Sequence, residues 1–147
     1  IFDYVITKSW LSRARRPDNE IRWHFHSTSH ISFVYYLSTP DNSHALEFQN
    51  TCTKNDLFKA MNVEDEDTAD RNMVKNYNPL NSPAFYMHPI EGSLFLFPSS
   101  LTHHTRFMGG DFKGERLAIV GDITLMLKED QLNFSMGYID NKYWKKY

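Results

Sequence analysis

The sequence predicts an all-β fold, with the jelly roll (double-stranded β-helix) as its leading architecture, on three observations. Short stretches rich in β-branched and aromatic residues follow one another along most of the chain, explicit turn chemistry separates them, and an aromatic content of 15% suits sheets better than helices. A length of 147 residues with 41% hydrophobic content is enough for a core without disulfides, so a single domain over residues 1–147 is expected.

Taken in order, strands are expected at Phe2–Trp10, Ile21–His26, Ile31–Leu37 and His44–Phe48, then at Ala84–His88, Ser93–Phe97, His103–Phe107, Glu115–Leu127 and Gln131–Met136. The turns between them are written in Arg16-Pro17-Asp18-Asn19, Thr39-Pro40-Asp41-Asn42, Ile90-Glu91-Gly92 and Gly109-Gly110-Asp111, where Pro fixes φ and Gly, Asn or Asp tolerate positive φ. One segment breaks the rhythm. Residues 50–82 contain a short helix expected around Lys54–Met61, an acidic run Glu64-Asp65-Glu66-Asp67 and the stretch Asn76-Tyr77-Asn78-Pro79, and read as an insertion and candidate lid, with a solvated surface loop as the alternative.

Charge and composition remove several function classes. A net charge of −2 provides no global attraction to nucleic acid or anionic membrane, and Arg13-Ala14-Arg15-Arg16 is too short a basic cluster to argue for either. No apolar run reaches membrane-spanning length and no signal-peptide pattern opens the chain. The single cysteine, Cys52, excludes an intrachain disulfide, so a reducing, cytoplasmic setting is expected. Because the first residue is Ile1, an upstream piece is also expected.

The chemistry lies in the histidines. In Trp23-His24-Phe25-His26, alternation along an extended chain turns both imidazoles to one side, a two-toothed clamp for a metal such as Zn, Fe, Ni or Cu. A third ligand should come from a distant strand. The run Leu94-Phe95-Leu96-Phe97-Pro98-Ser99-Ser100-Leu101-Thr102-His103-His104 ends in a second pair, of which alternation lets only one reach the metal. His30, His44 and His88 have no partner at ligand spacing and read as structural. In the late strand, Arg116, Ala118 and Val120 share one face; in the earlier one, Ser32, Val34 and Tyr36 do.

The order WHFH, ISFVYYL, LEF, EGSLFLFPSSLTHH, ERLAIV resembles a family of 2-oxoglutarate and Fe(II)-dependent oxygenases of bacteria and marine phages, over roughly residues 10 to 121. The resemblance implies that His24, His26 and His103 hold the iron and that Arg116 and Tyr36 bind the far carboxylate of 2-oxoglutarate. It further implies hydroxylation of a C–H bond in a small-molecule or peptide substrate, with succinate as co-product. The sequence departs from the pattern at Phe33, where Gly is usual, at Ser100, where an aromatic is common, and at His26, where related oxygenases carry Asp or Glu. Glu47 is a candidate for the missing carboxylate. Two other classes stay open: a three-histidine cupin-like metalloenzyme that uses no 2-oxoglutarate, and a non-catalytic jelly-roll binding module.

Overall fold

The computed structural model describes residues 2–50, 82 and 84–128. The insertion expected at 50–82, with its short helix, and the last expected strand at Gln131–Met136 therefore lie outside the described residues, apart from Asn50 and Ser82. The described residues form seven strands and no helix: β1 (Phe2–Ala14), β2 (Ile31–Ser38), β3 (Ala45–Gln49), β4 (Ala84–Met87), β5 (Leu94–Pro98), β6 (His103–Arg106) and β7 (Arg116–Leu127). They make two antiparallel sheets, one ordered β1-β7-β2-β5 and the other β4-β3-β6, a mainly-β arrangement of jelly-roll type.

Residues facing each other across an antiparallel pair point to the same side, so the register fixes what the four-stranded sheet turns inward. Lys8, Asp122 and Ser32 form one inward row, followed by Trp10, Val120 and Val34, then by Ser12, Ala118 and Tyr36; Ala14 stands opposite Arg116. The core lies where this face meets Leu46 and Phe48 of β3, with Val34, Tyr36, Phe97 and Ala118 buried against them. Phe48 and Phe97 bridge the two sheets edge-to-face at 5.0 Å.

Three local features differ from the sequence expectation. Strand β1 runs on to Ala14 because β7 pairs along its whole length, and Arg13 and Arg15 then bond Glu115 at 2.9 and 2.5 Å. A bulge between Ile6 and Lys8 sets Lys8 opposite Asp122. The expected strand Ile21–His26 is an extended segment with a single bridge, His24 to His103. The reason is register: Thr105 N–H bonds Ile21 O, while His24 and His103 exchange both backbone bonds, so three steps on one side span two on the other and no ladder continues.

Phe33, the departure at a position where Gly is usual, also finds its reason here. It stands opposite Gly121, and a Cβ on Gly121 would come within 2.5 Å of the Phe33 ring and 2.9 Å of the Lys8 carbonyl oxygen. The aromatic ring covers the bare glycine on the neighbouring strand.

Candidate metal centre and anion pocket

The segment 21–26 is fastened at both histidines, His24 to β6 of the three-stranded sheet and His26 to the turn after β5 of the four-stranded one. His24 pairs with His103, and His26 N–H bonds Ser99 O at 2.8 Å. This brings the rings of His24, His26 and His103 together, with centroids 4.3 to 5.3 Å apart. One ring nitrogen from each lies within 4.8 Å of the other two, close enough to hold one metal ion.

The hydrogen bonds decide which nitrogens these are. His24 Nδ1 is 2.7 Å from Arg22 O, His103 Nδ1 is 2.8 Å from Leu101 O, and His26 Nδ1 is 2.6 Å from Asp122 Oδ1. A carbonyl oxygen and an ionised carboxylate only accept, so each Nδ1 carries a proton and the neutral form of each ring has its lone pair on Nε2. Burial pushes His103 down to about 4, and the neighbouring His24 and His26 add to the effect against the opposing pull of Leu101 O and Asp122. Its ring is therefore neutral at neutral pH, the state a metal requires.

Asp122 is the residue the sequence reading missed. Its side chain is buried, Ser32 Oγ donates to Oδ1 at 2.7 Å, and Ser99 Oγ joins Ser32 Oγ at 2.9 Å. Lys8 Nζ stands 2.9 Å from Oδ2, at ion-pair distance without hydrogen-bond alignment. Burial works against the ionised carboxylate, yet Ser32, Lys8 and His26 together hold its pKa below the usual range. The signal was present: the inward face of Arg116, Ala118 and Val120 continues to residue 122, and an Asp on a core-facing position needs partners.

The three histidines, Arg116 and Tyr36 line one pocket of about 430 Å³, part of it open solvent, with Trp10, Ser12, Val34 and Ala118 among its walls. Arg116 is 3% exposed and donates from a terminal nitrogen to Ser12 Oγ at 3.1 Å. Among the described residues its Nε has no hydrogen-bond partner and no carboxylate pairs with it. Burial pushes the guanidinium below the ordinary arginine range, with Tyr36 opposing. Tyr36 is 1% exposed and burial raises its phenol, with Arg116 opposing. A buried cation with no carboxylate partner among the described residues, lining one pocket with three metal-competent nitrogens, is suited to an anion.

Glu47 does not join this centre. It faces the other side of the three-stranded sheet, where its carboxylate meets His104 Nε2 at 2.5 Å and lies 3.6 Å from Arg106. His104 stacks there on Trp23 with centroids 3.9 Å apart. Of the remaining histidines, His44 is buried, bonds Pro17 O at 2.9 Å and packs on Phe107 and Phe112, while His30 Nδ1 accepts from the Leu125 amide at 3.2 Å.

The model of a family described as "Putative 2OG-Fe(II) oxygenase" matches residues 8–122. The chain belongs to this family. A solved structure described as an oxidoreductase of the 2OG-Fe(II) oxygenase family, from Burkholderia pseudomallei, is similar in fold, with a TM-score of 0.55 at 13% identity. The match covers 83% of this chain and 44% of that protein, so the chain spans less than half of its relative's length. No curated protein matches. Among the described residues, no helix is long and apolar enough to cross a membrane.

Proposed function

We propose that the chain is an Fe(II)- and 2-oxoglutarate-dependent oxygenase that hydroxylates a C–H bond of a small-molecule or peptide substrate. The observation that carries this reading is the coexistence, in one pocket, of three convergent Nε2 lone pairs and a buried guanidinium that lacks an anion among the described residues. The residues fit the cofactor. His24, His26 and His103 would hold the iron, and three protein ligands leave positions open for other groups. When bound, iron would activate dioxygen with 2-oxoglutarate as the two-electron donor, so that one oxygen atom enters a C–H bond and the other enters succinate, with carbon dioxide released.

The chain's own residues do the rest. Arg116 offers a planar fork to the far carboxylate of 2-oxoglutarate, where a dianion answers both the cation and the metal. Tyr36 places a phenol on the same inward row as Ala118, whose small side chain leaves room in front of the guanidinium. Val34, Val120 and Trp10 wall the pocket with apolar surface, which keeps water from competing for the charged groups.

Turnover tests the proposal. Purified protein given Fe(II), oxygen and 2-oxoglutarate should form succinate, slowly without substrate and faster with it. Oxygen uptake with a metal-loaded protein and no succinate would instead favour a 2-oxoglutarate-independent three-histidine enzyme. Absence of metal binding would favour a binding module.

A further inference from the structure

Two of the three histidines are oriented by the same local device: Nδ1 bonds the carbonyl two residues earlier, Arg22 for His24 and Leu101 for His103. His26 is different. Its Nδ1 partner is Asp122, 96 residues away on β7 of the four-stranded sheet. A closed ring of hydrogen bonds runs from His26 N–H to Ser99 O, through Ser99 Oγ and Ser32 Oγ to Asp122, and back to the His26 ring. The ring clamps the main chain of His26 to the turn after β5 and its imidazole to β7, both belonging to the four-stranded sheet.

We propose that Asp122 is a positioning residue for the metal, acting through His26. Its carboxylate fixes the Nδ1 proton and the ring plane, and it provides, behind the ligand, the negative charge that an all-histidine set lacks. The inference rests on the metal reading above and deepens it. A carboxylate behind a ligating imidazole makes that ligand more basic and orients it, and removing such a partner costs about 10–100-fold in metal affinity. Lys8 is the counterweight. The bulge in β1 places its ammonium 2.9 Å from Oδ2, where it draws charge away from the carboxylate.

The experiment is a Co(II) titration of chelator-treated protein, by visible absorption and by competition with a chelating dye, for wild type and for Asp122→Asn, Lys8→Met and Ser32→Ala. Melting of each metal-free protein is followed in parallel. Asp122→Asn should bind Co(II) about 10–100-fold more weakly with an altered cobalt spectrum, while Lys8→Met should bind as tightly as wild type or more tightly. A role confined to holding the fold makes the opposite statement, since both variants break the same ion pair. Parallel losses of affinity in the two would therefore overturn the proposal, as would unchanged affinity in Asp122→Asn. Should Asp122→Asn fail to fold, Ser32→Ala decides: it keeps the carboxylate but opens the ring, and undiminished affinity would reject the idea. Wild-type protein that takes up no Co(II) removes the metal reading and this one together, whereas wild-type binding with an unaffected Asp122→Asn removes only the role of Asp122.

Discussion

Replacing Arg116 with Met separates what the pocket does for function from what it does for stability. The guanidinium is 3% exposed, has Ser12 Oγ as a polar partner at 3.1 Å, and faces no carboxylate among the described residues. Removing it forfeits one hydrogen bond, worth about 1 kcal/mol. In exchange, the fold no longer buries a charge that lacks a counter-ion among the described residues, and an apolar chain packs beside Tyr36, Val34 and Ala118. Exchanging buried ionic groups for well-packed apolar ones is often neutral or stabilising by about 1–4 kcal/mol. A net change between about zero and a gain of about 3 kcal/mol is therefore expected in the ligand-free protein, a rise in Tm of up to roughly 10 °C for a chain of this size. With 2-oxoglutarate the sign reverses, because the far carboxylate now has no partner, and affinity should fall by about 2–5 kcal/mol. Chemical denaturation gives the first quantity and isothermal titration under argon the second. A ligand-free variant destabilised by more than about 2 kcal/mol would mean that Arg116 is a structural residue and that the pocket is not held ready for an anion.

Three further outcomes follow from the geometry. His103→Ala should lose most of the affinity for a divalent metal, while His104→Ala, which removes only the stack on Trp23 and the pair with Glu47, should bind nearly as well as wild type; equal losses would contradict the facing of β6. Because the unfolded His103 imidazole takes its proton near 6.5 and the folded one only near 4, the unfolded chain binds more protons between those values. Stability of the metal-free protein should accordingly be fully present above pH 6.5 and fall as pH drops towards 4, and His103→Gln should flatten that slope when denaturation midpoints are compared. Gly121→Ala should destabilise by about 1–3 kcal/mol through overpacking against the Phe33 ring, and Phe33→Ala should recover part of the loss in a double-mutant cycle; additive effects would refute the contact.

What could be read from the sequence is what depends on local alternation. The shared face of Ser32, Val34 and Tyr36, the rule that only one of His103 and His104 can reach the metal, and the shared face of Arg116, Ala118 and Val120 need only a period of two, whereas the choice of His103 comes from the family resemblance. What escaped it depends on pairing between distant segments. Residues 21–26 look like a strand but slip by one residue against β6, and nothing within the segment records that slip. Glu47 sits in a strand of the right sheet, but on the face that carries His104 rather than His103. Asp122 was hidden for a different reason: it follows Gly121 in an apolar run, and its partners Lys8, His26 and Ser32 are each at least 90 residues away.

The central claim is that this pocket holds Fe(II) and 2-oxoglutarate together, at His24, His26 and His103 on one side and Arg116 on the other. Its most direct test is an anaerobic titration of 2-oxoglutarate into the Fe(II)-loaded protein, watching for the visible absorption band that arises when the keto acid chelates ferrous iron. The band should appear and saturate in wild type, should be absent in His103→Ala, and should require far more 2-oxoglutarate in Arg116→Met. Wild-type protein that binds Fe(II) stoichiometrically yet shows no band at millimolar 2-oxoglutarate would contradict the claim.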